Sequence, residues 1–217
     1  MSYGSALDLA KEHQQAFKVL SMRLGKDSAT KEWMKFVDNQ SKPRPAVLKP
    51  TDLFPDEVAM LFNYQKAIPD SLNNCVLESN SGLRVLLNSN NRVQEWSFSP
   101  KVKGIRGPWH DHVGLGKTGL HHGHIYAVRL GANLDIIDDG ILNIIPMTEK
   151  FNVKHYAKFE GYAEDNLFGQ NIIISQEELN GALHIKVPSA GIDVKANPLS
   201  EEDNWPDDWY QKNEIFL

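Results

Sequence analysis

After Asn74 the chain breaks into short runs of strand-forming residues cut apart by clusters of Asn, Ser and Gly: Cys75-Val-Leu-Glu-Ser, Gly82-Leu-Arg-Val-Leu-Leu-Asn and Val93-Gln-Glu-Trp-Ser-Phe. Runs of this length, rich in β-branched and aromatic residues and bounded by turn formers, are strands joined by tight turns. They predict a small antiparallel meander, and that meander limits what the rest of the chain can pack against. Further strands are expected at His122–Val128, at Leu142–Ile145 ended by Pro146, at Asn171–Ser175 and at Ala182–Val187. Between them Thr148, a suitable N-cap, opens a stretch of helical spacing to about Ala163.

The N-terminal third has a different texture. Apolar residues at helical spacing predict a helix over Ala6–Leu24, with Gly25 as its stop, and a shorter one over Thr30–Val37. Another is expected from Pro55 to Lys66, opened by Asp56 and Glu57. Three prolines between Ser41 and Pro50 exclude a helix interior and read as an extended linker. The expected organisation is therefore an α+β protein: a helical region with its Pro-rich connection over 1–70, a catalytic domain over 71–195, and an acidic, aromatic tail over 196–217. A length of 217 residues suits one sizeable core with a small helical appendage.

Composition narrows the functional classes. A single cysteine, Cys75, excludes an internal disulfide and a Cys-rich zinc site and favours a reducing compartment. No apolar run reaches the ~18 residues needed to span a bilayer, so no membrane segment is expected. The N-terminus lacks the basic and apolar regions of a signal peptide. The expected location is the cytoplasm, or a target cell reached by secretion without such a peptide. The formal net charge of −5 weighs against a nucleic-acid partner, but its distribution matters more than its sum. Acidic residues crowd the tail (Glu201, Glu202, Asp203, Asp207, Asp208), whereas Lys101, Lys103, Arg106, Lys117 and Arg129 flank a His-rich segment. Lys150, Lys154 and Lys158 recur every four residues, which on a helix makes one basic stripe or, equally, an ordinary solvated face.

The densest chemical signal is His110, His112, His121, His122 and His124, five of the eight histidines of the chain. A catalytic histidine needs a partner that fixes its ring and a Lewis acid or charge stabiliser nearby. Downstream, Asn143, Asn152 and Glu160 supply candidates, the last two eight residues apart and so on roughly the same side of a helix.

Several segments together resemble the DNA/RNA non-specific endonuclease family of ββα-metal, or His-Me finger, nucleases. They are Gly123-His-Ile-Tyr-Ala-Val-Arg-Leu-Gly, Asn143-Ile-Ile-Pro-Met, Phe151-Asn152, Tyr156 and Phe159-Glu160, supported upstream by Asn88 to Trp96 and by Val113-Gly-Leu-Gly. The likeness covers roughly residues 75–190. It implies a ββα-metal core on the antiparallel sheet, with His124 as general base, Asn152 as metal ligand, Glu160 holding metal-bound water and Asn143 as a supporting asparagine. It implies Mg²⁺, or another divalent cation such as Mn²⁺, as cofactor and hydrolysis of phosphodiester bonds in DNA, RNA or both. Many such domains are toxins, which would make a cognate immunity protein an expected partner. Two departures stand out. The family's Asp-Arg before Gly-His is His121-His122 here, so the phosphate-binding arginine is absent from its usual place, with Arg129, Arg106 or His122 as substitutes. A second family arginine, one helical turn after the glutamate, is Glu164. Lys154 and Lys158 would lie beside the bound backbone.

Other readings compete. Gly114-Leu-Gly-Lys-Thr118 suggests a phosphate-binding loop, but the glycine required five positions before Gly116 is Asp111. His110-Asp-His112 invites a Zn²⁺ or Fe²⁺ metalloenzyme site. An inactivated nuclease fold could serve as a binding module. Trp96, Trp109, Trp205 and Trp209 are either base-stacking platforms or half-buried packing.

Overall fold

The computed structural model describes residues 13–40, 42–62, 68–105, 119–177 and 181–200. The His110/His112 pair, Arg106, Lys117, the Gly114–Thr118 turn, Trp109 and the acidic tail from 201 onward lie outside the described residues.

The chain is α+β. Helices α1 (Gln14–Leu24) and α2 (Lys26–Asn39) form a hairpin about Gly25, whose positive φ of 77° suits a residue without a Cβ. Trp33 is buried at their contact, with Phe17 and Phe36 edge-on to it. The second helix is longer than its apolar spacing predicts, because Lys26 and Asp27 add a polar first turn. Helix α3 (Pro55–Leu61) starts at the proline, as expected. The first part of the Ala6–Leu24 stretch and the last part of Pro55–Lys66 lie outside the described residues.

The Pro-rich stretch is held on both sides. Arg44 donates to both carboxylate oxygens of Glu57, at 2.9 and 2.8 Å, and the buried Glu57 also accepts the Phe54 N–H at the start of α3. Three residues further on, the stretch contributes a strand of its own, β1 (Val47–Leu48), which runs parallel to β2 (Val76–Glu78). The extended backbone that prolines favour is the conformation a sheet edge can take up.

The predicted meander is present as β2, β3 (Arg84–Leu87) and β4 (Val93–Phe98), all antiparallel. It continues through β7 (Ile172–Gln176), β8 (Leu183–Val187) and β9 (Ile192–Ala196), giving a seven-stranded sheet in the order β1-β2-β3-β4-β7-β8-β9. Alternation is regular along the last strands: Leu183, Ile185 and Val187, then Ile192, Val194 and Ala196, are buried while their neighbours face outward. One buried cluster runs from Ala16 and Leu20 through Leu48, Leu77 and Trp96 to Ile145, Phe159 and Ile185.

Between β4 and β7 a separate antiparallel pair forms from β5 (His121–His124) and β6 (Ile144–Met147). Two expectations need correction here. The strand predicted over His122–Val128 ends at His124, because the Asn143 side chain takes both the N–H and the C=O of Tyr126, leaving that residue nothing for a ladder. The strand expected to stop before Pro146 instead includes it, opposite His122. In a pair of strands each has an outer edge, where a residue without an N–H loses no bond.

The helix after β6 begins as predicted, with Thr148 Oγ1 accepting the Phe151 N–H at 3.1 Å. Its first part, however, is a π-helix, Phe151–Tyr156, before ordinary winding resumes as α4 (Ala157–Asn166). The spacing Lys150, Lys154, Lys158 is therefore not a straight α-helical stripe, although Lys154 and Lys158 are both exposed. Trp96 is 1% exposed and donates to the Leu142 carbonyl, so it is a core residue and not a stacking platform.

Gly123 is a tight point of the β5–β6 pair. A Cβ there would meet the Met147 Sδ at 2.2 Å, and Met147 is fully buried, so its side chain must shift within the core. Gly123→Ala is expected to lower stability by ~1–3 kcal/mol, as overpacking does; an unchanged urea midpoint would show that Met147 repacks freely.

Candidate active site

Strands β5 and β6 and the helix after them bring together most of the residues singled out in the sequence. Asn143, at the end of the loop before β6, is completely buried. Its Oδ1 accepts the Tyr126 N–H at 2.7 Å, and its Nδ2 donates to the carbonyls of Tyr126 and Asp138 at 2.8 and 2.6 Å. All of its hydrogen bonding goes to backbone, so Asn143 is a positioning residue. Its own carbonyl accepts the Ile125 N–H at 2.9 Å. Tyr156, on the π-helix, donates to the Ile125 carbonyl at 2.7 Å. Ile125, which follows His124, is therefore clamped at both its backbone groups.

Tyr156 was named in the resemblance but given no role by sequence reasoning, since nothing in a spacing marks a buried hydroxyl that reaches a backbone carbonyl. Burial, with a further contribution from the charge of Glu160, pushes its hydroxyl well above the ordinary tyrosine range, so it remains a donor. Glu160 is half-buried one turn further along.

Asn152, half-buried in the π-helix, has its amide 3.4 Å from the Nδ1 of His121 at the start of β5. His124 sits three residues further along, at the end of the same strand. His122 has its pKa lowered by burial. An imidazole neutral at physiological pH is a poor substitute for an arginine cation.

Arg129 is engaged elsewhere. It donates through Nε and Nη2 to Glu164 Oε2 at 2.9 and 2.5 Å, and Nη1 is 3.5 Å from the Ala157 carbonyl. Glu164 thus holds an arginine brought in from the β5–β6 loop, and any phosphate at Arg129 would compete with that pair.

The Asn152 amide is a neutral oxygen donor of the kind that hard, partly hydrated divalent cations accept, and its half-buried position leaves room for waters, so the residues present fit such an ion. Among the described residues no group of three His, Cys, Asp or Glu gathers as a metal cage. A cavity of about 270 Å³ lies away from this region, between α1, α2 and the 134–139 loop, lined by Arg23, Phe36, Phe62, Asp135 and Asp139 among others.

The same loop carries a feature sequence reasoning missed. Asp138 is 1% exposed, and its Oδ2 accepts from Ser81 Oγ and from the Asn133 N–H. Asp135 accepts three backbone N–H groups, from Asn80, Ile137 and Asp138. Burial, with the neighbouring Asp135 charge adding to it, pushes Asp138 up to about 7.

The chain matches no known protein-family model and no curated protein.

Because the folded pKa of Asp138 lies above its unfolded value, the native state holds a proton that the unfolded chain releases, so this group's contribution to stability falls as pH rises from about 4 through 7. Asp138→Asn retains the acceptor for Ser81 and Asn133 without the charge. It is expected to flatten the decline and to stabilise the protein by ~1–3 kcal/mol at pH 8 relative to the parent. Urea midpoints at pH 5 and pH 8 check this, and equal pH slopes in the two proteins would contradict it.

Proposed function

We propose that this chain is a metal-dependent, sugar-non-specific endonuclease that hydrolyses phosphodiester bonds in DNA, RNA or both, on a ββα-metal core made of β5, β6 and the helix that follows. The observation that carries the reading is the approach of the Asn152 amide to the β5 strand that bears His124, with the residue after His124 clamped by Asn143 and Tyr156. The order of strand, strand and helix, and the resemblance of the residues along it, support the same conclusion.

In this reading His124 accepts a proton from the attacking water as its oxygen bonds to phosphorus and the bond to the 3′-oxygen breaks. Asn143 and Tyr156 act through the backbone, fixing where β5 ends and hence where the imidazole sits. Glu160 orders water beside the phosphate. Lys154 and Lys158, exposed on the same helical segment, attract the nucleic-acid backbone without reading its sequence. A divalent cation held by Asn152 and waters would supply Lewis-acid stabilisation to the charge building on the phosphate and leaving oxygen.

The test is degradation of plasmid DNA and of total RNA by the full-length chain with Mg²⁺ or Mn²⁺ and with EDTA. Degradation is expected with metal and not with chelator. His124→Ala is expected to lower the rate by ~10²-fold or more, and Tyr156→Phe, which leaves His124 in place but loosens Ile125, to lower kcat with little change in KM. Folded protein inactive on both substrates with either ion would sink the reading. If the nuclease is a toxin, its expression inside a bacterium arrests growth and a cognate immunity protein relieves the arrest.

A further inference from the structure

We propose that His121 is a second protein donor to the cation held by Asn152, so that the seat is a paired imidazole nitrogen and amide oxygen, suited to a transition-metal ion such as Mn²⁺ in preference to Mg²⁺. The proposal rests on the nuclease reading for the existence of a cation and goes beyond it in the donor set and the class of metal.

Three observations carry it. The first is the 3.4 Å between the Asn152 amide and the His121 Nδ1, which is long for a good hydrogen bond to nitrogen. Two ligands each bonded at ~2.1 Å to one ion lie about 3.0 Å apart at a right angle and about 3.4 Å apart at a tetrahedral angle, so the observed separation is within the reach of one shared ion. A half-turn of the amide about its last side-chain bond exchanges nitrogen for oxygen at the same place, so the oxygen is available to face the ion.

The second observation is rigidity on both sides of the pair. His121 is set by the register of β5, opposite the fully buried Met147. Asn152 is set by Thr148, whose carbonyl accepts the Asn152 N–H at 3.0 Å and whose own N–H donates to the Pro198 carbonyl at 2.8 Å. Neither donor is carried on a loop tip, as a preorganised ligand pair requires.

The third is the chemistry of the set. Both donors are side chains with neutral ligating forms, and no third His, Cys, Asp or Glu joins them among the described residues. Water would then complete the coordination, as it does for partly hydrated ions. Replacing a purely oxygen environment with one that includes imidazole shifts preference from Mg²⁺ towards transition-metal ions.

The experiment uses the full-length chain and Mn²⁺ alone. Free Mn²⁺ is followed by electron paramagnetic resonance during a titration, and the bound ion is then probed by pulsed methods for coupling to a directly coordinated imidazole ¹⁴N. The expected results are one bound Mn²⁺ with ¹⁴N coupling that persists in His124→Ala, displacement by Mg²⁺ only at large excess, and at least a tenfold weaker affinity in His121→Ala. Bound Mn²⁺ without ¹⁴N coupling, coupling lost in His124→Ala, or unchanged affinity in His121→Ala overturns the proposal and leaves the nuclease reading standing. Because the coupling is read in protein that retains His121, a misfolded His121→Ala does not stop the test. If the folded parent protein binds no Mn²⁺, or if Asn152→Ala binds it as well as the parent, the cation seat itself is lost and the nuclease reading goes with it.

Discussion

The candidate site depends on one buried amide. Asn143 is the residue through which the loop between β5 and β6 is tied to the end of β5: a single side chain accepts from and donates to Tyr126 and reaches back to the Asp138 carbonyl. A side-chain amide mimics a peptide group, so it can substitute for the missing partner strand and satisfy a backbone residue that has left the ladder. Hydrophobic burial then seals the arrangement. Phe98 packs on Tyr126 with ring centroids 4.6 Å apart, and Trp96 fixes the Leu142 carbonyl just before Asn143. A buried polar group left unmatched here would cost more than a hydrogen bond contributes, so the network holds together as a unit.

How much of this could be read from residues alone depends on the range of the interaction that decides each element. Period-2 patterning and turn residues suffice for β2, β3, β4, β7 and β8, because each is specified by its own side chains. Ile192 to Ala196 alternates just as clearly and was not anticipated, although the signal was there in Ile192, Val194 and the charged Asp193 and Lys195 between them. The end of β5 at His124 was not legible, since it is imposed by Asn143 from nineteen positions further on. Nor was β1, where two residues extend a sheet whose other strands lie beyond α3.

The candidate site divides in the same way. His124, Asn152, Glu160 and Asn143 were singled out by a dense histidine cluster, by spacing and by the resemblance together. The approach of Asn152 to His121 appeared in the sequence only as a departure from an expected motif. Arg129 was offered as a phosphate ligand, but opposite charges close in space pair first, and Glu164 lies within reach on α4. Buried acids such as Asp135 and Asp138 give no sequence signal, because a carboxylate in a polar loop is normally solvated and only the packed structure removes the water.

The π-helical turn at Phe151–Tyr156 gives the chain an unusual way of encoding geometry. In an α-helix each residue advances by 100°, whereas bonds that close one residue further along wind the backbone more slowly. Over the eight residues from Asn152 to Glu160 this slower winding brings the two side chains nearer to a common face than regular α-helix would. The extra residue held in the turn thus acts as a spacer. Ordinary α winding over the same eight residues would leave Asn152 and Glu160 about 80° apart around the axis. The winding of this turn is therefore itself a determinant of the site, independent of which side chains occupy it.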